Sequence, residues 1–367
     1  MKKLKVIISG GGTGGHIFPA IAIAKQLEKK VEDIDILFVG AKDRMEMQKI
    51  PEAGYKIEGL WISGLQRSLS LRNLSFPFKL ISSILKSRSI VSNFKADLVI
   101  GTGGFASGPL LFVASRKGIP ALIQEQNSYP GITNKLLSKY VDKVCVAYDK
   151  MNRFFPQDKI EFTGNPIRKL ILDFKDKREE GKKLFKVDNG KKTVLVVGGS
   201  LGARTINESI GENLELFVKN NLNLIWQTGI SYGNQSKELI KKIDKKEINA
   251  HVFINEMDKA YAAADIIISR SGAIAISELC CIAKPVILVP SPNVAEDHQT
   301  QNAQSLVNKN AALMVKDVDA SGKLVSELVK LSENNVLQEE LSENISELAV
   351  TNAAERIADL ALELIKK

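Results

Sequence analysis

Three times in this chain a short apolar run ends in a cluster of glycines and then gives way to a helical pattern. Residues 5–9 lead into Gly10-Gly11-Gly12-Thr13-Gly14-Gly15-His16. Residues 98–100 lead into Gly101-Thr102-Gly103-Gly104-Phe105-Ala106-Ser107-Gly108-Pro109, and residues 193–197 into Gly198-Gly199-Ser200-Leu201-Gly202-Ala203-Arg204. Strands that alternate with helices in this way belong to a parallel sheet covered on both faces, so the fold class is α/β with doubly wound sheets. At 367 residues the chain exceeds one ordinary core. The strand–glycine–helix opening recurs in the second half, which predicts two similar domains facing each other. The boundary falls at 164/165, within the hinge-like Phe162-Thr163-Gly164-Asn165-Pro166-Ile167-Arg168. The second domain runs over 165–345. The amphipathic tail, about 346–367, returns to the first domain, with Asn352 and Glu355 resembling a capping box at its start.

The glycines at 10, 12 and 15 satisfy G-x-G-x-x-G, a weak signal alone. A dinucleotide site also wants an acid ending the second strand, but residues 34–39 run into Gly40 and Asp43 comes late. A general phosphate-binding loop ranks ahead of NAD. Helices are expected over 19–30, 110–117, 205–220 and 257–264, and strands over 223–226, 251–254 and 286–289. Gln124-Glu125-Gln126-Asn127 is a polar cluster at a strand's carboxyl end, where α/β sheets bind ligands; its plain reading is a turn.

Residues 269–302 carry the richest pattern. Ser271 and Gly272 stand where a strand passes into an apolar run, so Ser271 suits an N-cap and Gly272 admits a ligand close to the backbone. A helix N-terminus there would favour a phosphate. Glu278 can accept two ribose hydroxyls, and His298 to Asn302 offer donors and acceptors for a sugar ring. Each feature alone is a helix cap, a surface acid or a polar helix start; together they indicate a nucleotide-sugar site.

The formal charge of +9 predicts an acidic partner: nucleic acid, anionic lipid or a phosphorylated substrate. No apolar run reaches the ~20 residues that span a bilayer, and the apolar start after Lys2-Lys3 reads as a first strand rather than a signal peptide. Three cysteines make neither a disulfide framework nor a metal quartet, which fits a reducing cytoplasm. Asp33-Ile34-Asp35 reads as a solvated turn rather than a metal site. Residues 61–95 hold six Lys and Arg and no acid, interleaved with apolar residues. Such a stretch either lies on an anionic membrane surface or forms an amphipathic helix packed on its own domain.

In their order along the chain, Gly11-Gly12-Thr13-Gly14-Gly15-His16, Gly103-Gly104-Phe105-Ala106-Ser107-Gly108-Pro109, Glu125-Gln126-Asn127, Gly164-Asn165-Pro166-Ile167-Arg168, Gly198-Gly199-Ser200, Arg270-Ser271-Gly272-Ala273 with Glu278, and Asp297-His298-Gln299-Thr300 resemble the MurG family of peptidoglycan synthesis. The resemblance covers nearly the whole chain. It implies a GT-B fold, two Rossmann-like domains with a cleft between them. It implies inverting transfer of N-acetylglucosamine from UDP-GlcNAc to the C4 hydroxyl of the muramoyl unit of undecaprenyl-pyrophosphoryl-MurNAc-pentapeptide (lipid I), giving lipid II.

Carried over residue by residue, the resemblance implies a donor site in the second domain. Glu278 would hold the ribose, the Ile254 backbone the uracil edge with Met257 nearby, and Arg168, Ser200 and the Ser271, Gly272 and Ala273 backbone the diphosphate, with Ile274 also assigned to the donor. His298, Gln299 and Asn127 would contact the sugar, with Thr13, Gly14 and Gly15 also assigned to the donor. Gly12, Gly14, Gly103, Gly104 and Ser107 would bind the lipid pyrophosphate. Leu74, Phe78, Lys79, Leu85, Lys86 and Arg88 would lie on the cytoplasmic face of the inner membrane, with no nucleic acid partner. The sequence departs from some relatives at Thr102, Phe105, Ala106 and residues 291–296, so details of acceptor binding are open there.

Inverting transfer needs a base for the acceptor hydroxyl and a sink for charge on departing UDP. A helix N-terminus, Ser200 and Arg168 can form the sink without a metal, and no metal or other cofactor is expected. His16 is the first candidate base, since an ordinary histidine pKa of ~6.5 suits proton abstraction near neutrality. Its plain alternative is a phosphate contact or a loop-ordering hydrogen bond. Glu125 is the second candidate, with a purely structural role as its alternative. Rival readings are another GT-B glycolipid transferase, a UDP-GlcNAc 2-epimerase, or a non-catalytic nucleotide- or nucleic-acid-binding protein.

Overall fold

The computed structural model describes residues 3–64, 75–199 and 201–366. The chain forms two compact units, Met1–Ile167 with Asn352–Lys367, and Arg168–Thr351. The crossing thus lies three residues beyond the expected 164/165. The return starts at Asn352 rather than near 346, because the helix Asn335–Ser346 belongs to the second unit.

The first unit is a seven-stranded sheet of β1 (Leu4–Gly10), β2 (Ile34–Ala41), β3 (Lys56–Leu60), β4 (Leu98–Gly103), β5 (Ala121–Glu125), β6 (Lys143–Val146) and β7 (Ile160–Phe162). The order is β3-β2-β1-β4-β5-β6-β7, and all pairs are parallel. Both faces are covered, so the central strands are apolar throughout rather than alternating. Ile7 enters the core on one face, with Leu110, Leu111 and Ile90. Val6 and Ile8 enter the other, with Ile17, Ile23 and the returning helix's Ile357, Ala358 and Ala361. The second unit repeats the plan with β8 (Lys192–Val197), β9 (Leu222–Gln227), β10 (Ile248–His251), β11 (Ile266–Ser269), β12 (Val286–Leu288) and β13 (Leu313–Met314). Its order is β10-β9-β8-β11-β12-β13, again parallel throughout. Ile267 faces one core and Ile266 and Ile268 the other.

Each sheet has one place where successive connections run off in opposite directions: next to β1 and β4 in the first unit, and next to β8 and β11 in the second. Loops diverge there and leave a crevice at the strands' carboxyl ends. All three glycine clusters, and the residues after β11, lie at these points.

Several local expectations shift. The first helix spans Gly14–Lys30, starting five residues before Pro19. Proline's preference for a first turn suggested the later start. The turn closes anyway, because the His16 and Ile17 N–H groups both reach the Thr13 carbonyl at 3.1 and 3.2 Å. Pro19 has no N–H to give the Gly15 carbonyl, so the helix runs through it with that one bond missing. His16 therefore sits on the first turn of a helix. The strand expected over 251–254 is β10, three residues earlier, where Ile248 pairs Leu224 and His251 pairs Gln227. The helix expected over 205–220 breaks into Arg204–Glu212 and Leu214–Lys219 at Asn213, whose side-chain amide donates to the Ser209 carbonyl. Asn352 makes no side-chain cap. Glu355 instead accepts from Lys30 at 3.2 Å, tying the returning helix to the first.

Candidate functional site

In the first unit the two glycine loops touch. The Gly11 N–H donates to the Gly103 carbonyl at 3.2 Å. Gly104 has φ +94° and a Cβ there would lie 2.5 Å from the Gly11 carbonyl oxygen, so only glycine fits. Beneath them lies Glu46, 1% exposed, a residue the sequence reading missed. Its carboxylate accepts the Gly12 N–H at 2.8 Å and the Ala41 N–H at 2.9 Å. A Cβ on Gly11 would sit 2.1 Å from this carboxylate, and one on Gly40 would sit 2.5 Å from its Cγ. The signal for Glu46 was therefore the pair of glycines that make room for it. Gly12 was expected to offer its N–H to a phosphate; that N–H is bonded to Glu46. The donors left at this lip are those that open two helices, at Gly14 and Gly15 of Gly14–Lys30 and at Ser107 and Gly108 of Ser107–Arg116, since the His16 and Ile17 N–H groups bond the Thr13 carbonyl and the Leu110 N–H the Ala106 carbonyl. Thr13 and Gly15 are exposed at this lip and Gly14 half-exposed.

Ser107 is fully buried. Its hydroxyl lies 3.0–3.2 Å from the Gly103 carbonyl, the Ser9 carbonyl and the Ser9 hydroxyl, so it ties loop to strand rather than presenting itself to a ligand. Glu125 is also spoken for. One carboxylate oxygen accepts from the Asn127 N–H and side-chain amide (3.0 and 3.2 Å), the other from the Gly131 N–H and the Asn134 amide (3.2 and 2.9 Å). With four donors on two oxygens it orders the 127–134 turn, which favours the structural alternative. His16 is half-buried, with Nδ1 2.8 Å from Gln126 Oε1. Its backbone carbonyl accepts from the Thr102 hydroxyl at 2.8 Å.

In the second unit Ser271 does not cap the helix that follows. The N-cap of Ala273–Ile282 is Gly272, which has no side chain to occupy the first-turn donors. The Ser271 hydroxyl donates to the Gln299 carbonyl at 2.8 Å, and Gln299 Oε1 accepts the Ser291 N–H at 2.9 Å, so these residues knit the loops after β11 and β12 together. Ile274, in that helix's first turn, is half-exposed. Glu278 is buried and forms a two-pronged pair with Arg168, Nε to Oε1 at 2.8 Å and Nη2 to Oε2 at 2.9 Å. The sequence assigned these residues to different parts of a ligand; the fold brings them together, and the Glu278 hydrogen bond raises the guanidinium pKa still further. The Ile254 backbone was expected to read a base edge; its N–H donates to Gln227 Oε1 at 3.0 Å, which leaves its carbonyl for that role, while Gln227 Nε2 donates to the Gly199 carbonyl at 3.0 Å. Gln227 was missed because it ends a strand as an ordinary polar residue; it joins two loops at the switch point. Met257 is buried beside Ile254 in the same core. Glu296 and Asp297 both adopt left-handed backbone, φ +54° and +47°, immediately before the helix His298–Val307. Such strain for non-glycine residues concentrates at functional sites. His298 and Gln299 are half-buried on that helix's first turn. Ser200 lies outside the described residues, as does Leu74.

The helix Phe76–Phe94 packs Phe76, Leu80 and Ile84 on the first unit's core and leaves Phe78, Ile81 and Leu85 exposed at 71, 58 and 63%. Spacing of three and four residues puts these three on one stripe. Lys79 bonds the Ser63 hydroxyl (3.0 Å) and lies over the Trp61 ring, Lys86 bonds the Gly59 carbonyl (3.1 Å), and Arg88 is exposed. Among the described residues no helix is long and apolar enough to cross a membrane, and no group of three or more His, Cys, Asp or Glu could hold a metal.

Comparison with known proteins gives these sites their context. The glycosyltransferase family 28 N-terminal domain matches residues 6–146 and the family 28 C-terminal domain residues 193–357. Proteins named UDP-N-acetylglucosamine--N-acetylmuramyl-(pentapeptide) pyrophosphoryl-undecaprenol N-acetylglucosamine transferase are similar from end to end. The one from Flavobacterium psychrophilum is 53% identical, covering 100% of this chain and 99% of its own. The one from Cytophaga hutchinsonii is 54% identical, covering 99% and 98%. The chain belongs to the MurG family of glycosyltransferases. The crystal structure of Acinetobacter baumannii MurG superposes with a TM-score of 0.81 at 29% identity, over 99% of this chain and 100% of that one. The two parallel-sheet units are those of the family's GT-B fold. The UDP-GlcNAc 2-epimerase of Neisseria meningitidis shares that fold at a TM-score of 0.69 but only 16% identity, over 99% of this chain and 100% of that one.

Proposed function

We propose that this chain transfers N-acetylglucosamine from UDP-GlcNAc to the C4 hydroxyl of the muramoyl unit of lipid I, with inversion at the anomeric carbon, to give lipid II. The observation that carries the reading is full-length identity above one half to transferases bearing that name, in a chain whose switch points both present open helix N-termini. In the first unit the first-turn N–H groups of Gly14–Lys30 and Ser107–Arg116 bind the acceptor pyrophosphate, without Gly12 and without the Ser107 hydroxyl. In the second unit the N-terminus of Ala273–Ile282 takes the donor diphosphate. Glu278 accepts the ribose hydroxyls, and its partner Arg168 turns to the departing charge. His298 and Gln299 serve the sugar, and the Ile254 carbonyl serves the base. His16 Nε2 removes the acceptor proton as the sugar–diphosphate bond breaks toward UDP. The stripe Phe78, Ile81, Leu85 with Arg88 rests on the anionic cytoplasmic face of the inner membrane, so the basic surface serves lipid and phosphate rather than nucleic acid.

Two variants separate the roles. Glu278→Ala weakens UDP-GlcNAc binding about 10-fold or more, the scale of one hydrogen bond to a charged group. His16→Ala keeps donor affinity and loses turnover. Unchanged turnover in His16→Ala removes it from the mechanism, and unchanged donor affinity in Glu278→Ala removes the ribose assignment.

A further inference from the structure

Behind His16 lies a chain of three buried amides, all in the first unit. Asn165 Nδ2 donates to the Gln126 backbone carbonyl at 3.0 Å. A carbonyl oxygen can only accept, so the Asn165 amide is fixed with Oδ1 on its other side. That oxygen accepts from Gln124 Nε2 at 2.8 Å, which turns Gln124 Oε1 toward Gln126. Gln126 Nε2 meets Gln124 Oε1 and, independently, donates to the Thr102 carbonyl at 2.7 Å. Gln126 is therefore fixed from two directions, and its oxygen faces His16 Nδ1. Gln124, Gln126 and Asn165 are each at most 1% exposed. Reversing any one amide would set like against like and leave buried groups unsatisfied.

An oxygen that only accepts demands a donor. We propose that Gln126, oriented by Gln124 and Asn165, is a positioning residue that keeps the His16 proton on Nδ1 and presents Nε2 with a free lone pair. The proposal deepens the assignment of His16 as base and rests on it. The ring is clamped for this task. The Thr102 hydroxyl holds the His16 carbonyl, and Gly103, φ +106°, lies so close that a Cβ would be 2.7 Å from Nδ1 and Cε1. Which ring nitrogen carries the proton follows the hydrogen bond the other makes. An amide suits the role because its oxygen accepts from Nδ1–H whether the ring is neutral or protonated, and it cannot take the proton itself. In the reaction the acceptor O–H bond breaks and its proton goes to Nε2. The oxygen bonds the anomeric carbon, and the electron pair of the broken sugar–diphosphate bond leaves with UDP. The imidazolium keeps its Nδ1–H on Gln126 and returns the Nε2 proton to water.

The test is long-range ¹H–¹⁵N spectroscopy of the full chain labelled in its three histidines, His16, His251 and His298. Spectra are taken well above the ordinary histidine pKa of ~6.5, with His16 assigned by its loss in His16→Ala. The expected spectrum has His16 protonated on Nδ1. In Gln126→Met the proton moves to Nε2, and turnover falls roughly 10²-fold or more, the scale of a lost general base, while UDP-GlcNAc affinity stays within about twofold. Gln124→Met, one link further back, shifts the tautomer in part. Wild-type His16 protonated on Nε2 overturns the proposal, whatever the variants do and even if they fail to fold. Turnover lost in Gln126→Met with the proton still on Nδ1 also overturns it, reducing Gln126 to packing. An Nδ1 proton together with full turnover in His16→Ala overturns the assignment of His16 as base and leaves the lock without a catalytic purpose.

Discussion

Glu46→Gln is the sharpest perturbation of the first unit, because it changes charge and donor pattern without changing shape. The wild-type carboxylate accepts two backbone N–H groups, from Ala41 at 2.9 Å and Gly12 at 2.8 Å, at a site 1% exposed. A glutamine can satisfy only one. Whichever way the amide turns, its NH₂ group faces the other N–H, donor against donor. A hydrogen bond to a charged group contributes ~1.5–3 kcal/mol, and a buried unsatisfied donor costs ~1–3 kcal/mol. The remaining bond also loses its charge assistance. Because these contributions overlap, the expected destabilisation is ~2–4 kcal/mol. At ~2–4 °C per kcal/mol for a unit of this size, the Tm of the first unit falls by ~4–16 °C. Scanning calorimetry on wild type and variant measures it directly. If the donor site lies in the second unit as proposed, UDP-GlcNAc affinity stays the same at temperatures where both proteins are folded. A shift under ~1 °C would refute the claim that the carboxylate holds the glycine loop.

Three further outcomes follow from the same geometry. His251 is half-buried, edge-on to Phe185, its buried Nε2 lacking a hydrogen-bond partner among the described residues, and desolvation depresses its pKa below the usual 6.5 despite Glu256. Below about that pH the unfolded chain binds a proton that the folded chain refuses, so stability falls as pH drops. Denaturant melts at about pH 7.5 and 5.5 detect the loss, which His251→Phe abolishes. Gly103→Ala forces a left-handed alanine, at ~1–3 kcal/mol, and pushes on the His16 ring, so turnover falls at least ~10-fold with donor affinity intact. Replacing Phe78, Ile81 and Leu85 by Ser reduces sedimentation with anionic vesicles while changing stability by only ~0.5 kcal/mol per site, since all three side chains are exposed.

The architecture was legible because it rests on local signals. Apolar runs buried on both faces, broken by glycines, announce parallel strands, and the same clusters mark the crevice where connections diverge. What escaped was pairing across the sequence. Nothing near Glu46 says that it reaches back 34 residues to Gly12, and nothing near Arg168 says that its guanidinium meets Glu278, 110 residues on. Ser271 illustrates a local rule overridden: a good cap by type, its hydroxyl is drawn instead to the Gln299 carbonyl once the loops after β11 and β12 are packed. Pro19 shows the same for helix starts, since the Thr13 carbonyl anchors the turn five residues earlier than proline statistics suggest. Glu125 and Ser107 sit where the motifs put them, yet the Glu125 carboxylate is taken up by the 127–134 turn and the Ser107 hydroxyl by the backbone of a glycine loop.

In the proposed reaction the two units divide the work, the second holding an activated sugar and the first a lipid-linked diphosphate. The decisive measurement is UDP release from UDP-GlcNAc, followed with and without lipid I in detergent or vesicles. Release that depends on lipid I, matched by a disaccharide-bearing lipid product, is the expected result. Release at the same rate without the lipid, or a product in which the sugar has been epimerised rather than transferred, would contradict it.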